Sequence, residues 1–251
     1  MEFRYFIQLS FNGEAYHGWQ SQKDSNSVQD ELCKALSVIL KSEITVTGAG
    51  RTDAGVHAKD FYAHFDSEKN NLNENKFIFK LNKFLPSDIA IKNIFKVKPN
   101  AHARFDAISR TYVYQIIKNK NPFYTNSAYY YYGDLDIALM NKASEILFEY
   151  SDFTSFSKVK TQTKTNNCKI MKAQWEQKED LILFTIKANR FLRNMVRAIV
   201  GTMLEVGKNK ISLKDFENII ESKNRSNAGY SVPAKGLFLI NVEYSEKIFN
   251  K

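Results

Sequence analysis

Cysteine is scarce in this 251-residue chain, with Cys33 and Cys168 the only two. Lying far apart, they give neither a disulfide framework nor a metal-ligand spacing. No apolar run approaches the roughly 20 residues that span a membrane. The opening MEFRYFIQLSF alternates like a strand, and lacks the basic start and continuous apolar run of a signal peptide. Acidic residues are also in short supply: 27 Asp and Glu face 36 Lys and Arg, a net charge of +9 and a pI near 9.3. These shortages argue against a secreted disulfide scaffold, a zinc module and a membrane protein. They lead us to expect a soluble, cytoplasmic chain.

The basic excess favours polyanion partners, because each neutralised phosphate releases condensed counterions. A lysine-rich, AT-biased genome yields the same composition without any nucleic-acid role. At 43% hydrophobic the chain has enough apolar material for one large domain or two small ones.

Periodicity gives the order of elements. Residues 4–11 alternate as a strand. Ser27 caps a helix with Val28, Leu32, Ala35, Leu36 and Ile39 on one face. Residues 44–47 form a short strand and 56–65 a longer one. A helix over about 73–84 stops before Pro86, and 88–97 is a strand. This β-α-β-β-α-β order is the ferredoxin-like pattern. The second half repeats it loosely: strands at 110–117 and 128–132, a helix at 136–148, and a hairpin of 168–177 and 180–188 around Lys178-Glu179. Helices follow at 191–206, ending at Gly207, and at 212–223, opened by a Ser212-x-x-Asp215 capping box. The last strand is 237–244. The expected fold class is α+β, in two similar ferredoxin-like halves, residues 1–100 and 101–251.

The glycines are concentrated. Three of the ten lie in GAGRTDAGVHA, residues 48–58. Glycine lets backbone approach a ligand closely. The loop joins two strands and precedes no helix, so a P-loop or Rossmann reading fails on context. Asp53 is its only carboxylate and either caps a turn or does chemistry. In the stretch 189–197, NRFLRNMVR, Arg193 and Arg197 at i and i+4 share a face of the expected helix, which Gly201 continues. Arginines at a helix start oppose the macrodipole, so an acidic group is expected opposite. Tyr112 and Tyr114 share one face of a strand, as core residues or as a base-stacking surface. Residues 158–172 hold five lysines and no carboxylate. Lys158, Lys160 and Lys164 read either as a solvated loop or as a basic arm that closes on nucleic acid.

GAGRTDAGVHA, with YHGWQ (16–20), HARFDAISRTYVY (102–114), DFTSF (152–156), ANRFLRNMVRAIVGTMLEVG (188–207) and AKGLFLINVEY (234–244), resembles the tRNA pseudouridine synthase A family. The matches run in order from about residue 5 to 244. The resemblance implies a pseudouridine synthase fold with a cleft between the halves. It implies isomerisation of uridine to pseudouridine in the anticodon arm of tRNA, at the nucleotides conventionally called 38, 39 and 40. It further implies no cofactor, no metal, and a homodimer binding tRNA. By the same resemblance Asp53 is the catalytic carboxylate, Tyr112 lies against the target base, and Arg197 pairs with the aspartate. Arg51, Arg193 and the three loop lysines are then expected to bind the RNA. Two departures from the family pattern stand out, Arg190 and the run Tyr230-Ser231-Val232. Neither is expected to touch the catalytic set.

Two rivals are weaker. An RNA-recognition module would carry an RNP1 string on its third strand. Residues 56–65 have Phe61, Tyr62 and Phe65 but no such glycine pattern. A metal-dependent nuclease built on Asp53, His57 and Asp60 lacks a shared strand face and a second carboxylate cluster.

Overall fold

A computed structural model describes residues 2–159 and 164–249. It is a mixed α+β structure that divides into two compact units. The first is Met1–Ile108 with Leu239–Lys251, and the second is Ser109–Phe238.

The first unit follows the expected order: β1 (Phe3–Phe11), α1 (Val28–Leu40), β2 (Thr47–Gly48), β3 (His57–Ser67), α2 (Asn75–Phe84) and β4 (Ile89–Val97). Strand β1 lies between β3 and β4, antiparallel to both, and β2 pairs antiparallel with β3. The alternation in β1 has its usual cause. Tyr5, Ile7, Leu9 and Phe11 are buried on one face, with Tyr5 stacked on Phe65 and Phe11 edge-on to Phe61. Phe6 is buried too, among Val97, Ala101 and Ala103. A strand covered on both sides reads as near-continuous apolar sequence. Helix α1 is capped by Ser27, whose hydroxyl accepts the Asp30 N–H at 3.1 Å. Strand β2 is shorter than expected. The N–H of Ile44 bonds the Ser37 hydroxyl and the Val46 carbonyl takes the Gln29 amide, so residues before Thr47 spend these groups outside the ladder.

The expectation that everything beyond residue 100 forms the second half is corrected at the C-terminus. Strand β9 (Leu237–Tyr244) neighbours β3. Tyr244 packs edge-on to Phe6 and Tyr62 and donates to the Ala103 carbonyl at 2.5 Å. These long-range pairings leave no mark in the local sequence.

In the second unit β5 (Ala107–Ile117) pairs with β8 (Leu181–Ala188), and β8 with β7 (Ile170–Lys178), all antiparallel. The two-residue strand β6 (Tyr129–Tyr130) runs parallel to β5. The β7–β8 hairpin turns at Glu179-Asp180, with Glu179 at a positive φ of 53°, one residue along from the expected Lys178-Glu179. Helix α3 (Ile137–Ile146) packs on β7 and on α4 (Met195–Gly207). Helix α4 is the core helix, with eleven of its 13 residues buried. The Trp175 ring stacks on Phe184 at 4.6 Å, and its indole N–H points at the Met203 sulfur. Helix α5 (Leu213–Glu221) starts with both halves of the expected capping box between Ser212 and Asp215.

Candidate active site

The glycine loop is held by a second loop, residues 13–19, which no local periodicity announces. Asp53 opens a turn in which the Val56 N–H donates to the Asp53 carbonyl at 3.2 Å. Gly55 is the third residue of that turn, with φ +77°, where a side chain would be strained. The Gly55 N–H bonds the Tyr16 carbonyl at 3.3 Å. The Thr52 hydroxyl accepts the Trp19 N–H at 3.0 Å, and the His57 Nδ1 accepts the Gly13 N–H at 3.1 Å.

The packing is too close for side chains at three places. A methyl on Gly13 would strike the Val56 carbonyl, one on Gly18 the Thr52 carbonyl, and one on Gly48 the Trp19 ring. Gly50, by contrast, faces open space. The loop's glycines were expected to leave room for a nucleotide. Gly48 instead serves protein against protein, while Gly50 keeps its approach clear. Asp53 is half-buried and Arg51 exposed, so the turn holds the carboxylate on a fixed backbone at the surface of its unit.

The second unit places the remaining expected residues. Tyr112 and Tyr114 lie on β5 but differ in setting. Tyr114 is buried and donates to the Pro233 carbonyl at 2.9 Å, and burial pushes its phenol well above the ordinary range. It is a core residue. Tyr112 is half-buried, with the Phe191 ring perpendicular to it at 5.2 Å. Phe191, passed over as part of a helix, therefore fixes the tilt of the Tyr112 ring.

The expected helix from residue 191 is corrected. Helix α4 begins at Met195 because Asn194 stands at φ +68°. The Met195 N–H closes a turn on the Leu192 carbonyl at 3.1 Å, and the Asn194 amide bonds the Ser231 hydroxyl at 2.6 Å. Arg193 thus precedes the helix and shares no face with Arg197. Arg193 is exposed, and its carbonyl accepts the Lys158 N–H at 3.0 Å.

Arg197 is half-buried and donates from Nε to the Val232 carbonyl at 2.7 Å. The Val232 N–H returns a bond to the Arg197 carbonyl at 3.2 Å. The run 230–232, expected to stay clear of the catalytic set, therefore orients Arg197, one of the residues expected in that set. Gly201 allows this, since a methyl there would collide with the Tyr230 carbonyl. The Ser231 hydroxyl also takes Arg225 Nη2 at 2.9 Å, so the strap is tied at each residue. Arg190, the other departure, is half-buried near Cys168 and opposes the rise that burial gives that thiol's pKa, to about 11.

The basic loop is pinned at its neck. Phe153 N–H bonds the Asn166 carbonyl at 3.1 Å, and Cys168 N–H bonds the Ser151 carbonyl at 2.8 Å. Lys158 and Lys164 are exposed. Lys160 lies outside the described residues.

Comparison with known proteins accords with this architecture. A family model described as tRNA pseudouridine synthase matches residues 8–106 and 150–245, which include the glycine loop, the lysine loop and helix α4. The tRNA pseudouridine synthase A of Bacteroides fragilis is 54% identical, covering 98% of each chain. That of Bacteroides thetaiotaomicron is 52% identical over 99% of this chain and 93% of its own. The more distant tRNA pseudouridine synthase A of Clostridium acetobutylicum is 39% identical over 95% of this chain and 98% of its own. A match of this extent, on a structure that fixes the Asp53 turn and ties down Arg197, places the chain in the tRNA pseudouridine synthase family.

Proposed function

We propose that this enzyme converts uridine to pseudouridine in the anticodon arm of tRNA, at nucleotides 38, 39 and 40, without metal or cofactor. We assign Asp53 as the catalytic carboxylate. The reaction is an isomerisation: the N1–C1′ bond of uridine breaks, the base turns, and a C5–C1′ bond forms. The C5 proton leaves to solvent and N1 regains one. A carboxylate serves such a reaction by attacking the nucleoside or by stabilising the electron-poor sugar carbon. The observation that carries the reading is the Asp53 turn, in which a glycine at positive φ and a neighbouring loop hold one half-buried carboxylate still.

The other residues take supporting parts. Tyr112, its ring set by Phe191, lies against the target base, and its hydroxyl relays the C5 proton. Arg197 supplies a planar guanidinium whose fork matches a carboxylate or a phosphate. Arg51, Arg193, Lys158, Lys160 and Lys164 bind RNA phosphates. The enzyme acts as a cytoplasmic homodimer.

Release of tritium from tRNA labelled at uridine C5 tests this reading, because neither binding nor cleavage frees that hydrogen. Asp53→Asn keeps the size and loses the charge. It is expected to cut release at least roughly 100-fold while tRNA affinity stays within a few-fold. Tritium release by Asp53→Asn near the wild-type rate removes Asp53 from the chemistry.

A further inference from the structure

The string HARF, residues 102–105, carries part of the family resemblance, yet the roles above leave it unused. Its structure is a built pedestal. The Ala101 N–H bonds the Lys98 carbonyl and the Asp106 N–H bonds the His102 carbonyl, each at 3.0 Å. The His102 N–H takes the Asp106 carboxylate at 2.7 Å. The Ala103 N–H takes His64 Nδ1 at 3.2 Å. The Arg104 and Phe105 N–H groups share His102 Nδ1 at 3.1 and 3.4 Å. Six consecutive amides are thus satisfied, and the Ala103 carbonyl receives the Tyr244 hydroxyl. Ala101 and Ala103 are buried in the first unit's core.

On this fixed turn Phe105 is 73% exposed. A lone exposed apolar side chain is ordinary. This one is braced: the His102 ring lies 4.3 Å from it, His102 is itself edge-on to His64 at 4.7 Å, and the Arg104 guanidinium stands 5.6 Å from the Phe105 centroid. A rigid aromatic ring beside a cation is the arrangement that stacks an unpaired nucleobase while its phosphate meets positive charge.

We propose that Phe105 is an RNA-stacking residue, taking one unpaired base of the tRNA outside the reacting nucleotide. The proposal rests on tRNA being the substrate. A second copy of this chain suits the patch less well. Its exposed apolar side chains are Phe105 and Ile108, far short of the ~800 Å² per partner of a stable interface.

The test is equilibrium binding of unmodified tRNA to the full-length enzyme and to Phe105→Ala, Phe105→Leu and Phe105→Trp, each at several salt concentrations. Stacking predicts roughly 5- to 150-fold weaker binding for Ala and Leu. Trp should bind within a few-fold of wild type. The salt slope should not change, because phenylalanine neutralises no phosphate. Melting temperatures should also hold, since the ring lies outside the core. Wild-type affinity in Phe105→Leu overturns the proposal, as does a variant that changes oligomeric state in sedimentation without changing affinity. If the wild-type enzyme itself does not bind tRNA, the substrate reading fails first. If it binds and isomerises tRNA while all Phe105 variants match it, the stacking role alone fails.

Discussion

His64 is a histidine that this fold uses unprotonated. Its Nδ1 accepts the Ala103 N–H, which a proton on that nitrogen would forbid. Burial first, then the nearby Arg4 and His102, lower its pKa from the ordinary 6.5 to about 4. The sign follows directly. The unfolded chain binds a proton between those values and the folded chain does not, so this stability is complete above pH 6.5 and lost as pH falls towards 4. Denaturation at constant salt is expected to show a loss of at most about 3 kcal/mol across that window. His64→Asn keeps an acceptor without a titration and should flatten the slope. An unchanged slope would assign the acid sensitivity to other groups. Two buried histidines, His57 and His64, accept backbone N–H groups from Gly13 and Ala103, pinning the ends of β3 to distant turns.

At the scale of elements, helix α4 and the strap over it act together. Gly201 lets the Tyr230 carbonyl lie against the helix, and that approach brings Val232 within 2.7 Å of Arg197 Nε. Gly201→Ala should therefore cost about 1–3 kcal/mol in chemical denaturation and lower turnover, with Arg197 itself intact. A stable Gly201→Ala enzyme of normal rate would show that the strap does not matter to Arg197. Much of this level was legible in the chain. Ser27 and the Ser212–Asp215 box mark helix starts because capping is local chemistry, and the β1 alternation reports its buried face. The start of α4 was not legible. Apolar spacing continues from Leu192 into the helix, and only the positive φ of Asn194, held by Ser231 from far along the chain, breaks it. Asp53, Arg197 and Tyr112 were singled out by motif. Thr52, Gly13, Gly18 and Phe191 were not, because each acts through a partner distant in sequence, and Val232 stood out only within a run expected to lie clear of that set. YHGWQ and HARF were the available hints, since they formed part of the family pattern without a role of their own.

Across the whole molecule the +9 charge sets how tRNA is met. The lysine loop is tied at 151–154 and 166–168 and to the Arg193 carbonyl, so Lys158 and Lys164 stand on a fixed neck. Replacing Lys158, Lys160 and Lys164 with alanine is expected to weaken tRNA binding at low salt. It should also reduce the slope of log affinity against log salt by roughly 2–2.7, at about 0.7–0.9 per phosphate contact. Single-turnover chemistry at saturating tRNA should hold, because the loop carries no reacting group. An unaltered slope and affinity would make the loop an ordinary solvated surface. The opposite pattern belongs to the Phe105 variants, where affinity moves and the slope does not. The two experiments thus separate charge from stacking.

Trp19 has its backbone N–H on the Thr52 hydroxyl, its ring against Gly48, and Phe61 stacked 4.2 Å away. The other tryptophan, Trp175, is packed against Phe184 and Met203 in the second unit. Trp175→Phe would leave a single indole lying against the Asp53 loop. Its emission would then track that loop as tRNA arrives, with no dye attached and no residue of the Asp53 turn replaced.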